Sequence, residues 1–205
     1  MLRFILAKAL GMEVTKTETS TSLCSLAYEE GTKILAERSE EEKKEKGQFL
    51  TPPAIARYIA QRVEPFSDKT RVLDPAIGSG ILPCAVIERA IERGRPQQIE
   101  IVGYETDDEL CRAAGNVLAQ AKERAAGVGV ELCFDLSISD FVLEHAPNSS
   151  PSLFDEENGQ VDLESFDAIV ANPPYFKLNR SDPEAQAVMG EVEGHTNIYT
   201  LFMGL

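Results

Sequence analysis

Arg71-Val72-Leu73-Asp74-Pro75-Ala76-Ile77-Gly78-Ser79-Gly80 is the stretch that decides the fold. A short apolar run ends on an acid, a glycine-rich turn follows, and a helix is expected over about 81–93. Gly78 and Gly80 let the backbone come close to a ligand, and the helix behind them points its free N–H groups into the same space. The turn lacks both the G-x-G-x-x-G spacing of dinucleotide sites and the Gly-Lys-Ser/Thr of a phosphate-binding loop, so those readings drop out. Plain strand-to-helix turns also carry such glycines, and the stretch by itself names no ligand.

After it the chain alternates between strand and helix. Ile99 to Glu105 reads as a second strand, followed by a helix over about 107–126; Val130 to Phe134 reads as a third strand and Phe166 to Ala171 as a fourth. Apolar runs of this length separated by helices are parallel strands buried on both faces, and the expected fold is a doubly wound α/β sheet, mostly parallel. Upstream, residues 23–46 read as a helix ending in the charge run Glu40 to Lys46, an ordinary solvated face. Gly47 to Thr51 breaks the chain; Pro52 and Pro53 then suit the first turn of a helix through Val63, with Thr51 as its N-cap. Two long polar loops are expected at 145–165 and 176–195, and loops of that length in a compact domain are usually functional or disordered.

The chain of 205 residues has a formal net charge of -14. A protein that holds nucleic acid alone usually carries a basic stripe, because phosphate contacts supply most of the non-specific affinity. Here Glu144 to Asp167 contains neither Lys nor Arg, so a nucleic-acid substrate would need another region or subunit to hold its backbone. No apolar stretch approaches the roughly 20 residues of a membrane span. The apolar opening Met1 to Lys8 reads as a packing helix rather than a signal peptide. Cys24, Cys84, Cys111 and Cys133 form no CxxC pair, which argues for free thiols in a cytoplasmic protein and against a zinc site. His145 and His195 read as surface residues.

In such sheets ligands sit at the carboxyl ends of the strands, where strand order reverses. Glu105 falls at one such end and can accept from both hydroxyls of a ribose; alone it would be an ordinary strand-end acid. Asp140-Phe141 follows the third strand, offering an acceptor for an adenine amine and a ring to flank the base, though Asp also opens many turns. Asn172-Pro173-Pro174-Tyr175 follows the fourth. The Asn172 side chain and a main-chain carbonyl of this loop can both accept from a planar –NH2 group, the prolines stiffen the loop, and Tyr175 offers a face on which a base can stack. Asn-Pro also marks plain turns. Together these elements describe a site for an adenosine-bearing ligand beside a loop that holds an amine, which points to S-adenosylmethionine and methyl transfer to nitrogen.

The chain resembles the N-terminal catalytic part of a DNA adenine-N6 methyltransferase of restriction-modification type. Gly47-Gln48-Phe49-Leu50-Thr51-Pro52 is similar to that family's N-terminal cofactor motif, Asp74 to Gly80 to its glycine-rich motif, Glu105 to its ribose-binding acid, Asp140-Phe141 to its adenine-binding pair, and Asn172 to Tyr175 to its catalytic loop. Thr196 to Phe202 resembles the helix that helps line the target pocket. The resemblance implies a Rossmann-like S-adenosylmethionine-dependent fold, with cofactor contacts at Phe49, Thr51, Asp74, Pro75, Ala76, Ile77, Gly78, Glu105, Asp140 and Pro174. It implies catalysis by Asn172, the Pro173 carbonyl and Tyr175, on an adenine flipped from double-stranded DNA. Tyr175 leans toward single-chain enzymes over modification subunits, and Ile77 departs from the small residue common at its position. The family continues with further strands, an aromatic motif and a target-recognition domain. The expectation is therefore an N-terminal helical extension at 1–46 and a C-terminally incomplete catalytic domain at 47–205, completed by a missing C-terminal region or by a recognition subunit. Two alternatives stay open: methylation of a protein glutamine amide, which uses a similar loop but no counterpart of Gly47–Pro52, and a non-catalytic cofactor-binding fragment.

Overall fold

The computed structural model describes residues 21–63, 67–145, 166–174, 179 and 181–187. Tyr175, His195, residues 1–8, the loop at 145–165 beyond His145, and the Thr196–Phe202 stretch lie outside the described residues. The chain order is α1 (Leu23–Ala36), α2 (Glu40–Glu45), α3 (Pro53–Ala60), β1 (Lys69–Asp74), α4 (Ile81–Arg93), β2 (Gln98–Tyr104), α5 (Asp108–Ala126), β3 (Glu131–Ser137), α6 (Phe141–His145), β4 (Ala168–Ile169) and α7 (Pro183–Ala187).

The strands form a four-stranded sheet in the order β3-β2-β1-β4, and every pairing is parallel. After β1 the chain steps outward to β2 and β3, then returns to place β4 on the other side of β1. That reversal puts the ends of β1 and β4 at the switch point of a doubly wound sheet, where a crevice opens. The register sets Asp74 beside Gly103 and Tyr104 beside Ser137, so the acids after β1 and β2 emerge at the same level.

Burial explains the strand sequences. Val72, Ile99, Ile101 and Leu132 are at most 1 % exposed and share one core with α4 and α5; burying each such side chain contributes about 1.5–3 kcal/mol. The opposite face carries a smaller cluster of Leu73, Val102, Tyr104 and Phe141. Gly80, at φ 86°, starts α4, and Pro83 is tolerated because it sits in the first turn, where its missing N–H would have had no helical partner.

Residues 23–46 are not one helix. Ser39 accepts from the Glu42 N–H while the Glu42 carboxylate accepts from the Ser39 N–H, a reciprocal capping box that starts α2 afresh after α1 has ended at Ala36. α1 belongs to the main core through Leu23, Cys24 and Ala27. Its start is fixed by Glu88 of α4, whose carboxylate accepts from the Leu23 N–H at 2.6 Å. Thr51 does not cap α3 either. Pro52 occupies the cap without a side-chain bond, its carbonyl accepts from Ile55 and Ala56, and Thr51 is buried at 8 % exposure. The third strand runs on to Ser137, and α7 occupies part of the stretch expected to be loop. No helix among the described residues is long and apolar enough to cross a membrane.

Candidate active site

The crevice at the switch point is walled by the Lys46–Leu50 segment, the turn after β1, the end of β2 with the start of α5, the β3–α6 connection and the loop after β4. Eight of the residues expected at the site line it: Phe49, Pro75, Ala76, Gly78, Glu105, Asp140, Asn172 and Pro174. Segments far apart in sequence are thereby brought to one opening.

Four others are placed differently. Asp74 is 1 % exposed beneath the turn; its Oδ1 accepts from the Ala76 N–H at 3.2 Å, and its Oδ2 has no hydrogen-bond partner among the described residues. Burial, with the neighbouring Glu105 charge adding to it, pushes its carboxyl up to about 8. Ile77 sends its side chain away from the crevice onto β2, where a Cβ at Gly103 would lie 2.5 Å from its Cδ1. The large residue in a position expected to be small is thus accommodated by the glycine opposite, and only the Ile77 backbone belongs to the turn. Thr51 and Pro173 are buried and do not form the wall.

Glu105 is already engaged. Its Oε2 accepts from the Gly78 N–H at 2.9 Å and its Oε1 from the Asp107 N–H at 2.9 Å. These bonds lock the carboxylate across the opening; the Thr106 hydroxyl adds a long bond to Oε1 at 3.4 Å, one that a ligand hydroxyl can replace, and Oε2 retains capacity to accept again. Burial raises its pKa above the ordinary value. Gly78 adopts φ 56°, and a Cβ there would meet no atom of the described residues within 4 Å. The backbone at that point is open to whatever enters the crevice, as a cofactor cradle requires.

Asn172 donates from Nδ2 to the Phe49 carbonyl at 3.1 Å. A carbonyl only accepts, so this bond fixes the amide orientation and turns Oδ1 to the other side as an acceptor. The expected catalytic Asn and the N-terminal motif are therefore in direct contact. Asp140 has two roles: it lines the crevice, and its Oδ1 accepts from the Leu143 N–H at 3.0 Å to start α6. Phe141 is packed edge-on against Tyr104, with ring centroids 5.2 Å apart. His145 is not a surface residue. It is half-buried, with Nε2 3.1 Å from the Tyr104 hydroxyl, and burial lowers its pKa.

Sequence reasoning missed Lys46, Gln48, Tyr104 and Thr106 as lining residues. It also missed Asp107, which holds Arg38 and Gln48 from behind the wall. Only the position of Asp107, capping α5 two residues after Glu105, carried a readable signal.

The sequence profile of the family described as N-6 DNA Methylase matches residues 20–189. The chain belongs to the N-6 DNA methylase family. It is 24% identical over 171 residues to the type II methyltransferase M.AccI of Acinetobacter calcoaceticus, covering 80% of this chain and 25% of that protein. It is 28% identical over 165 residues to the type II methyltransferase M.BsuBI of Bacillus subtilis, covering 80% of this chain and 31% of that protein. The chain thus spans between a quarter and a third of these methylases. In fold it is similar to a class I S-adenosylmethionine-dependent methyltransferase of Listeria monocytogenes, at TM-score 0.55 and 17% identity, over 88% of this chain and 47% of that one. It is also similar to a modification subunit of a type I restriction enzyme from Vibrio vulnificus, at TM-score 0.53 and 17% identity, over 98% of this chain and 38% of that one.

Proposed function

We propose that this methylase chain binds S-adenosylmethionine in the switch-point crevice and directs methyl transfer to the N6 amine of adenine in DNA, within a restriction-modification system. The observation that carries this reading is the Asn172–Phe49 hydrogen bond, which joins an acceptor suited to a planar amine to the rim of a crevice built around Gly78 and Glu105. When bound, the cofactor supplies an electrophilic methyl group. Glu105 would accept from its ribose hydroxyls, Asp140 from its adenine amine, and the open backbone at Gly78 would let it lie close. Asp74 supplies a buried carboxyl beneath the turn.

On the substrate side, Oδ1 of Asn172 and the Pro173 carbonyl accept from the N6 amine and aim its lone pair, with Tyr175 stacking on the flipped base. No strong base is needed, because the amine becomes acidic only as its new bond forms. The protein's contribution is position and preorganised dipoles. With a net charge of -14, the DNA backbone is held chiefly by a recognition region or subunit outside these elements. Under the restriction-modification reading the DNA is that of a bacterial cell, so the proposed location is the cytoplasm.

The test is transfer of labelled methyl to unmethylated genomic DNA by the native full-length protein. Asn172→Ala should reduce transfer about a hundredfold to a thousandfold, the range for removing one preorganised dipole at a reacting centre, with cofactor affinity nearly unchanged. Wild-type turnover in that variant, or label appearing in protein glutamine instead of DNA, would overturn the reading.

A further inference from the structure

Behind the crevice wall lies a cluster of charged and polar side chains to which the proposed chemistry assigns no role. The Asp107 carboxylate, 7% exposed, is gripped by Arg38, 13% exposed. Nη1 of Arg38 donates to Oδ2 at 2.7 Å and Nη2 to Oδ1 at 2.9 Å, the two-pronged geometry that makes an Arg–carboxylate pair strong and directional. The same Nη1 donates to Oε1 of Gln48 at 2.8 Å, and Nε2 of Gln48 donates to Oδ2 of Asp107 at 3.1 Å, closing a three-residue ring. Lys46 Nζ reaches Oδ2 at 3.4 Å and Glu109 takes Nη2 of Arg38 at 2.9 Å.

The ring stands between both halves of the site. On one side the Asp107 N–H donates to Oε1 of Glu105. On the other, Gln48 is followed by Phe49, whose carbonyl accepts from Asn172. The lip Lys46–Leu50, all of which faces the crevice, contains no helix or strand. Among the described residues its backbone N–H groups bond only to α2 and to the lip itself: Lys46 to the Glu42 carbonyl at 3.0 Å, Gly47 to Lys44 at 3.2 Å, Gln48 to Lys43 at 2.9 Å and Phe49 to Gly47 at 3.1 Å. None of these bonds reaches β2 or α5, so the position of the lip over the crevice depends on side-chain ties.

We propose that Arg38 is a positioning residue: by clamping Asp107 and Gln48 together it holds the Lys46–Leu50 lip over the crevice and keeps Glu105 and Asn172 in register with each other. Its effect on cofactor affinity rests on the methyltransferase reading; its effect on the lip does not. Lysine would retain the charge but not the fork, and so should substitute only in part. A purely structural tie between α1 and α5 would instead weaken the whole core together.

Amide hydrogen exchange on the native full-length protein without cofactor, with calorimetric S-adenosylmethionine binding on the same samples, separates these outcomes. In Arg38→Met the Gln48 and Phe49 amides should exchange about tenfold faster or more, while those of β1 and α4 keep their protection. The cofactor dissociation constant should rise by a similar factor, with Arg38→Lys intermediate in both. Unchanged lip exchange, or lip protection lost only in step with β1 and α4, would overturn the proposal. If Arg38→Met does not fold, Gln48→Met decides: it leaves the Arg38–Asp107 pair intact and should loosen the lip locally, and normal lip protection there overturns the clamp. A wild-type chain that binds no cofactor would count against the methyltransferase reading, while the exchange data still decide the clamp.

Discussion

Glu105 holds its carboxylate between two backbone N–H groups before any ligand arrives. Little side-chain entropy is then left to lose on binding, and hydrogen bonds from two hydroxyls to an ionised acceptor are each stronger than neutral ones. Glu105→Ala should weaken S-adenosylmethionine binding by about tenfold or more in calorimetry, since one such bond contributes about 1.5–3 kcal/mol. A dissociation constant equal to wild type would mean that Glu105 only braces the Gly78 turn. At this scale the legible residues were those at strand ends, because the rule that ligands sit there needs only the local pattern. Arg38 was not legible, because its partner Asp107 lies 69 positions away in sequence and nothing local distinguishes it from the surface charges around it; Gln48 stood inside the quoted Gly47–Pro52 motif, but its bond to Asp107, 59 positions away, was equally hidden.

α1 bears directly on the glycine-rich turn and the lip. A Cβ at Gly31 would lie 2.5 Å from Ser79 Oγ and 3.0 Å from two methyl carbons of Leu50, so helix, glycine-rich turn and lip meet at a position that admits only hydrogen. Gly31→Ala gains about 1 kcal/mol of helix propensity but overpacks a contact whose cost is about 1–3 kcal/mol. Ser79 is 0% exposed and sits between the positive-φ residues Gly78 and Gly80, so pushing it shifts the N–H that holds Glu105. The variant should lose about 1 kcal/mol in denaturant unfolding and bind cofactor more weakly; a more stable variant with unchanged affinity would show that the contact is slack. Among elements, α4 matched its expected span because glycines bound it at both ends and its apolar residues leave no other reading. The break before α2 was missed because the charge run hid the Ser39–Glu42 capping box. β4 was expected over six residues, yet only Ala168 and Ile169 carry strand pairing, since an apolar run shows that a segment is buried and not how far its neighbour runs alongside.

For the molecule as a whole, the buried acid at the switch point couples stability to pH. The Asp74 carboxyl, pushed up to about 8 by burial, keeps its proton in the folded chain over a range where the unfolded chain, with an ordinary value near 3.9, has released it. Raising pH through that window therefore removes stability. Glu105 is shifted in the same direction by burial, so its contribution has the same sign. Asp107 works the other way. Burial would raise it, but hydrogen bonds from Arg38 and Gln48 hold it well below the carboxylate range, so its contribution is complete above the ordinary value and is lost only in acid. Between pH 5 and pH 8 the slope therefore belongs chiefly to Asp74. Thermal unfolding of the cofactor-free chain should show Tm falling across that interval, by about 2–4 °C per kcal/mol lost for a chain of this size. Asp74→Asn keeps an acceptor for the Ala76 N–H and removes the titrating group, so its Tm should fall distinctly less over the same interval, whatever its absolute stability. The comparison of slopes also cancels the repulsion expected from a net charge of -14, which both proteins share to within one charge. Equal slopes in wild type and Asp74→Asn would show that Asp74 is ionised in the folded chain and that the turn above it tolerates a buried charge.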